Sequence, residues 1–218
     1  MIKGIIFDFD GLICDTETIE LEIWHEVFNS HCYDFPQKQY LKTIGSMDTR
    51  NNIEHLFHDL VIPEKEKIII QREMIAKYEK RVNHLPLRPG VMAFLREAKE
   101  MDLKIGLASS SGKDFITHHL NRLDIGDYFD CTSTRDDVQS VKPDPELFLR
   151  TLDCLGLFPD EAVALEDSIN GVEAAKQAGI ITIAVPNQVT QVFDFSKADL
   201  SINSLEKTSV KTLIRQFE

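Results

Sequence analysis

After Gly90 the chain switches repeatedly between two hydrophobic periods, and that alternation restricts it to very few folds. Val91 to Met101 reads as a helix, Leu103 to Ala108 as a strand, Asp114 to Leu123 as a helix and Tyr128 to Thr132 as a strand. The pattern continues with a helix over Pro145 to Leu155, a strand over Ala162 to Leu165 and a helix over Ile169 to Ala178 that stops at Gly179. A strand over Thr182 to Val185, a short strand over Leu200 to Ile202 and a helix over Leu205 to Phe217 complete it. Short strands separated by helices of about ten residues build a parallel sheet with right-handed crossovers. The N-terminal run Gly4-Ile5-Ile6-Phe7 supplies one more strand of that sheet. From Asp15 to about Val82 the spacing is helical instead: Ile19, Ile23 and Val27 beside Trp24 and Phe28, then Ile70, Met74 and Tyr78 with Ile75 and Val82. Asn83 to Gly90, with Pro86 and Pro89, reads as a linker, because each proline resists helix continuation and pushes its predecessor toward extended geometry. The expected fold is α/β: a Rossmann-like parallel sheet core with helices on both faces, formed by 1–14 and 87–218, plus an inserted all-helical cap domain over 15–86.

Composition narrows the function classes. A chain of 218 residues, 43% hydrophobic, can bury a sizeable core, and its formal net charge of -12 argues against a general nucleic-acid binder, whose affinity rests on clustered Lys and Arg. Cys14, Cys32, Cys131 and Cys154 contain no Cys-x-x-Cys pair, so neither a zinc site nor a disulfide framework is expected and all four read as small buried apolar residues. The first strand starts within a few residues, without a basic leader, and nowhere does a membrane-length apolar run occur. A cytoplasmic monomer with no membrane partner is the expectation.

Asp8 and Asp10 stand at the C-terminal end of the first strand, just before Gly11, which permits a turn. On spacing alone they could be turn-forming aspartates. Three further polar groups follow other strands: Ser109 after Lys104 to Ala108, Lys142 in Val-Lys-Pro-Asp-Pro, and Glu166-Asp167 after Ala162 to Leu165. In a parallel sheet these ends open onto one edge, where ligands bind, so groups distant in sequence can meet. Each type suits phosphoryl chemistry. A hard Mg²⁺ takes oxygen ligands, available from Asp8, Asp167 and a main-chain carbonyl near Asp10. A carboxylate can attack phosphorus, the role expected of Asp8, while Asp10 alternates as acid and base. Ser109 and the amides of Ser110 and Ser111, opening the following helix, can bind phosphate oxygens, and Lys142 adds a point charge. Four carboxylates and a phosphate dianion carry about -6 against about +3 from Mg²⁺ and Lys142, an excess that protonation of Asp10 would relieve. The seven histidines show no ligand spacing joined to a strand end, and His118-His119 reads as helix surface.

These residues carry a resemblance. Asp8-Phe9-Asp10-Gly11, Ser109, Lys142 in Val-Lys-Pro-Asp-Pro-Glu, and Glu166-Asp167-Ser168 with Asn170-Gly171 are similar to the four motifs of the haloacid dehalogenase superfamily, in its branch of capped phosphatases, β-phosphoglucomutases and phosphoglycolate phosphatases. The resemblance implies Asp8 as nucleophile, Asp10 as general acid/base, Mg²⁺ held by Asp8, the Asp10 carbonyl and Asp167 with help from Glu166, and a cap that opens and closes. It implies a phosphatase acting on a small phosphorylated metabolite, such as a sugar phosphate, through an aspartyl-phosphate. The mutase cap has a histidine where this chain has Glu20, and its Lys-Gly-x-x-Arg pattern is replaced by Ile44 to Arg50. Hydrolysis is therefore expected over the mutase alternative, with Glu20, Arg50 and Lys77 as candidate substrate contacts. A phospho-receiver module shares the Asp, Ser, Lys and Mg²⁺ set, but such modules lack an inserted helical segment.

Overall fold

Strand β1 (Gly4–Phe7) lies inside the sheet with β2 (Lys104–Ala108) on one side and β4 (Ala162–Glu166) on the other. Adding β3 (Cys131–Ser133), β5 (Ile181–Ala184) and β6 (Leu200–Ser201) gives the order β3-β2-β1-β4-β5-β6, with every neighbouring pair parallel. This Rossmann-like arrangement is seen in the computed structural model, which describes residues 1–45 and 54–217. The chain winds outward from β1 to β3, then returns across β1 to start β4, so the switch point lies between β1 and β4. Crevices at such points are where open α/β sheets bind ligands.

Side-chain alternation along the strands sorts the core into two layers. Ile5 and Phe7 point into one, with Leu107, Val163 and Leu165, where they meet α5 (Val91–Glu100), α6 (Lys113–Arg122) and α9 (Val210–Ile214). Ile6, Ala108, Ala162 and Ala164 point into the other, against α7 (Glu146–Leu155) and α8 (Ile169–Gln177). The alanines of β4 are small enough for these helices to pack closely.

The segment before β2 adds α1 (Thr16–Ser30), α2 (Gln37–Leu41), α3 (Glu54–Phe57) and α4 (Glu64–Val82). Ile23, Trp24, Val27 and Phe28 of α1 pack against Ile70, Met74 and Tyr78 of α4, with Tyr40 and Phe57 closing a separate apolar cluster. Val189, from the loop after β5, is the sheet region's buried contribution to it among the described residues. No helix of the described residues is long and apolar enough to cross a membrane.

Four expectations need correction. The strand expected over Tyr128 to Thr132 is a short 3-10 turn at Gly126–Tyr128 followed by β3, because Asp130 closes the edge of β2 by accepting from the Ile105 amide at 2.7 Å. The helix expected over Leu205 to Phe217 is broken, since the Ser209 side chain accepts from the Thr212 amide and starts α9 afresh. His119 is buried, its ring centroid 4.4 Å from that of Phe115 and 6.0 Å from that of Phe9, because it falls on the face of α6 turned to the sheet.

The cysteines differ most. Cys131 on β3 and Cys154 on α7 form a disulfide, while Cys14 is buried and free and Cys32 is exposed and free. A separation of 23 residues gives no sequence signal; the pair meets because the crossover lays α7 back across β2 and β3. Closing a loop of that length removes unfolded-chain entropy. Cys154→Ser is expected to lower oxidised-state stability by about 3 kcal/mol. Urea unfolding with and without a thiol reductant checks this: reductant should shift the wild-type midpoint and leave the variant's unchanged.

Candidate active site

The register of β1 explains why its acid meets the others. Phe7 lies level with Leu107 on β2 and Leu165 on β4, so the residues that follow, Asp8, Ala108 and Glu166, emerge together at the sheet edge. The Asp8 amide continues the ladder, donating to the Leu165 carbonyl at 3.1 Å. The chain then turns sharply, the amides of Leu12, Ile13 and Cys14 all converging on the Phe9 carbonyl. Gly11 sits in this turn with φ +75, and a Cβ there would fall 2.1 Å from Asp167 Oδ2. Gly11→Ala is expected to cost about 1–2 kcal/mol from backbone conformation alone, and more from this collision. A melting temperature equal to wild type would refute it.

Asp8, Glu166 and Asp167 are all buried, and each brings a carboxylate oxygen within 4.8 Å of the others. The Lys142 ammonium bridges two of them, donating to Asp8 Oδ1 at 2.5 Å and Glu166 Oε1 at 2.6 Å, with a third bond to the Ala108 carbonyl at 2.8 Å. The other Glu166 oxygen accepts from the amides of Asp167 and Ser168 and from the Ser168 hydroxyl. Room for this carboxylate exists because residue 171 is glycine: a Cβ there would lie 1.9 Å from Glu166 Cδ. Burial, opposed by Lys142 and reinforced by Glu166 and Asp10, pushes the Asp8 carboxyl up to about 8. Burial and the charges of Asp8 and Glu166 hold the Asp167 carboxyl well above its ordinary range, with Arg88 opposing. Burial works against the Lys142 charge, but Asp8 and Glu166 outweigh it and raise its affinity for the proton.

Asp10 faces a different set. Its Oδ1 accepts from the Thr16 hydroxyl at 2.9 Å, and its Oδ2 from the Ser111 hydroxyl at 2.6 Å and Ser109 at 3.4 Å. Its carboxylate is not one of the trio, so any part it has in holding a cation falls to its main-chain carbonyl. Ser109 also accepts from the Ser111 amide at 3.0 Å, a tight loop ahead of α6. The Ser110 hydroxyl reaches across to the Gly45 carbonyl at 3.0 Å, and Asn170 Nδ2 to the Ile44 carbonyl at 2.8 Å, so the segment after α2 docks on the strand-end loops.

Three buried carboxylates against one ammonium leave a formal excess of about -2, and all the available donors are oxygens. That is the donor set of a hard divalent cation such as Mg²⁺, and the residues fit it.

Residues 5–185 match the sequence profile described as haloacid dehalogenase-like hydrolase. The chain belongs to this family. Among haloacid dehalogenase-like proteins it is 41% identical to "Putative phosphatase YhcW" of Bacillus subtilis, over 98% of this chain and 97% of that one. It is 34% identical to the "Phosphorylated carbohydrates phosphatase" of Thermotoga maritima, over 82% of each. The crystal structure of β-phosphoglucomutase from Clostridium difficile superimposes with a TM-score of 0.79 at 25% identity, covering all of this chain and 97% of that one.

Within this haloacid dehalogenase-like fold, Asp8, Asp10, Ser109, Lys142, Glu166 and Asp167 are gathered at one edge. Glu20 is buried on α1, accepting from Trp24 Nε1 at 3.3 Å, next to Glu17. Burial, Glu20, Asp10 and Asp8 all raise the Glu17 carboxyl, so α1 presents acids toward the strand edge. Lys77 does not belong to this gathering: its ammonium binds Glu26 and Glu73 on the outer side of α4, where the i+4 spacing from Glu73 directs it. Arg50 lies outside the described residues. Sequence reasoning overlooked Thr16, Glu17, Asn187 and Arg88. Asn187 follows Val185-Pro186 at the end of β5, so the strand-end logic that found Glu166 would also have found it. Arg88 donates to the carbonyls of Gly11, Val185 and Pro186, stapling the linker to both strand ends; its only sequence signal was a lone cation before Pro89.

Proposed function

We propose that this haloacid dehalogenase-like protein is a Mg²⁺-dependent phosphatase that hydrolyses a small phosphorylated carbohydrate through an aspartyl-phosphate on Asp8. The observation that carries the reading is the Lys142 ammonium bridging Asp8 and Glu166 at the switch point, which holds a buried carboxylate oriented beside a positive charge where a phosphate can approach. Mg²⁺ held by Asp8, Asp167 and the Asp10 carbonyl would supply charge neutralisation for the phosphate. Asp8 attacks phosphorus, Asp10 gives a proton to the leaving alkoxide and takes one from the incoming water, and the hydroxyls of Thr16 and Ser111 keep its carboxyl aligned for both transfers. Ser109 and the Ser110 amide bind phosphate oxygens, and Lys142 supplies a positive charge beside them. Residues 15–86 act as a cap, docking through the Ile44 and Gly45 carbonyls and excluding bulk water during transfer. The acids Glu17 and Glu20 suit a hydroxyl-rich substrate end, and the enzyme acts as a cytoplasmic monomer.

A panel of sugar phosphates, phosphoglycolate, nucleotides and phosphorylated flavin, with Mg²⁺ or with chelator, tests the reading. Phosphate release that chelator abolishes is expected, and silence across the panel would overturn it. Following β-glucose 1-phosphate by phosphorus NMR separates hydrolysis from mutase chemistry, since the 6-phosphate forming faster than free phosphate would establish the latter.

The raised Asp8 carboxyl gives a pH prediction. It binds a proton more tightly folded than unfolded, so the cation-free fold loses stability as pH climbs from the ordinary carboxylate range toward 8. At pH 7 Mg²⁺ must displace that proton. Calorimetric Mg²⁺ titration in two buffers of different ionisation enthalpy is expected to differ in apparent heat by the proton released; equal heats would refute it.

A further inference from the structure

Lys142 secures Asp8 and Glu166, whereas Asp167 is held from another direction. Asn187 Nδ2 donates to Asp167 Oδ2 at 2.7 Å, and both side chains are buried. The amide cannot be turned around without loss, because its Oδ1 already accepts from the amides of Val189 at 2.8 Å and Thr190 at 2.9 Å. The turn after β5 therefore fixes which end of the side chain faces Asp167. The Asn187 amide in turn donates to Thr190 Oγ1 at 3.0 Å, so the turn itself is closed. Gly11 lies against this pair, where an added Cβ would be 2.1 Å from Asp167 Oδ2 and 2.7 Å from Asn187 Nδ2. Asp167 Oδ2 thus meets both the first turn of the chain and the loop after β5. The carboxylate's other oxygen carries no bond to Asn187.

We infer that Asn187 is a positioning residue that aims Asp167 at the cation shared with Asp8. This rests on the proposed Mg²⁺-dependent reading and deepens it. The hydrogen bond selects one orientation of the Asp167 carboxylate and places a donor, never an acceptor, beside it. Outer hydrogen bonds of this kind are worth about 10–100-fold in metal affinity.

Asn187→Ser separates this role from a structural one. A serine hydroxyl can still accept from amides two and three residues on, keeping the turn, but it is too short to reach Asp167. Asn187→Ala loses both. Mg²⁺ affinity is measured by calorimetry on the whole chain, and thermal melting without the cation. The expected result is a Mg²⁺ affinity weakened about 10–100-fold in both variants, with the melting temperature falling further in the alanine variant. The kcat of Asn187→Ser should recover at saturating Mg²⁺. Affinity within two-fold of wild type in a folded Asn187→Ser protein overturns the inference. Should that variant not fold, Asn187→Thr, with the same hydroxyl, replaces it and is read by the same criterion. Wild-type protein that binds no Mg²⁺ overturns the phosphatase reading instead, and with it the premise of the inference.

Discussion

Asp8→Asn is expected to reduce turnover by about four orders of magnitude or more while leaving the fold in place. The amide is nearly isosteric, so the ladder bond from residue 8 to the Leu165 carbonyl and the packing of Phe7 and Phe9 survive. What disappears is nucleophilicity and one carboxylate of the trio. With the Asp8 carboxyl pushed up to about 8, the neutral amide also replaces a group that is already mostly protonated near neutral pH without the cation. The variant should therefore melt no lower than wild type in the absence of Mg²⁺ while failing to turn over any substrate the wild type accepts. Residual turnover within about tenfold of wild type would mean that Asp8 is not the attacking group.

Lys142→Met is expected to lose both activity and stability. The ammonium is buried, lies 5.0 Å from the centre of the Phe148 ring and satisfies Asp8, Glu166 and the Ala108 carbonyl at once. Deleting one partner of a buried ion pair costs about 3–5 kcal/mol, because the remaining charge is left uncompensated, whereas Asp8→Asn leaves the ammonium paired with Glu166. The two substitutions therefore have opposite signatures in stability, although both abolish turnover. Combining them should recover part of the lost stability, since Lys142→Met then strands one carboxylate fewer. Chemical unfolding of the two single variants and the double variant measures this coupling, and strict additivity would contradict it.

The strand-end residues were legible because a parallel sheet converts sequence order into spatial position in a simple way. Once Gly4 to Phe7, Lys104 to Ala108 and Ala162 to Leu165 are read as strands, the residue after each must appear at the same edge, and Asp8, Ser109 and Glu166 do. Lys142 was legible from its setting in Val-Lys-Pro-Asp-Pro rather than from any periodicity. Other features depend on distances that hydrophobic pattern does not encode. Thr16 reaches Asp10 because the turn at Gly11 folds the chain back, the Gly11 amide itself donating to Thr16 Oγ1 at 3.1 Å. Arg88 acts through main-chain carbonyls, which every residue possesses and no sequence marks. His119 was misplaced because a polar type was read as surface, although it sits at the position on α6 that Phe115 also occupies one turn earlier.

The disulfide between β3 and α7 has a consequence for how the enzyme is handled. The covalent ring it closes contains Lys142, so the cation that balances Asp8 and Glu166 rides on a tethered loop when the cysteines are oxidised and on a free one when they are reduced. Thiol-rich compartments keep such pairs reduced. Protein purified in air and protein kept under thiol reductant would then be two species with the same sequence and different loop entropy, and activity ought to be compared between them.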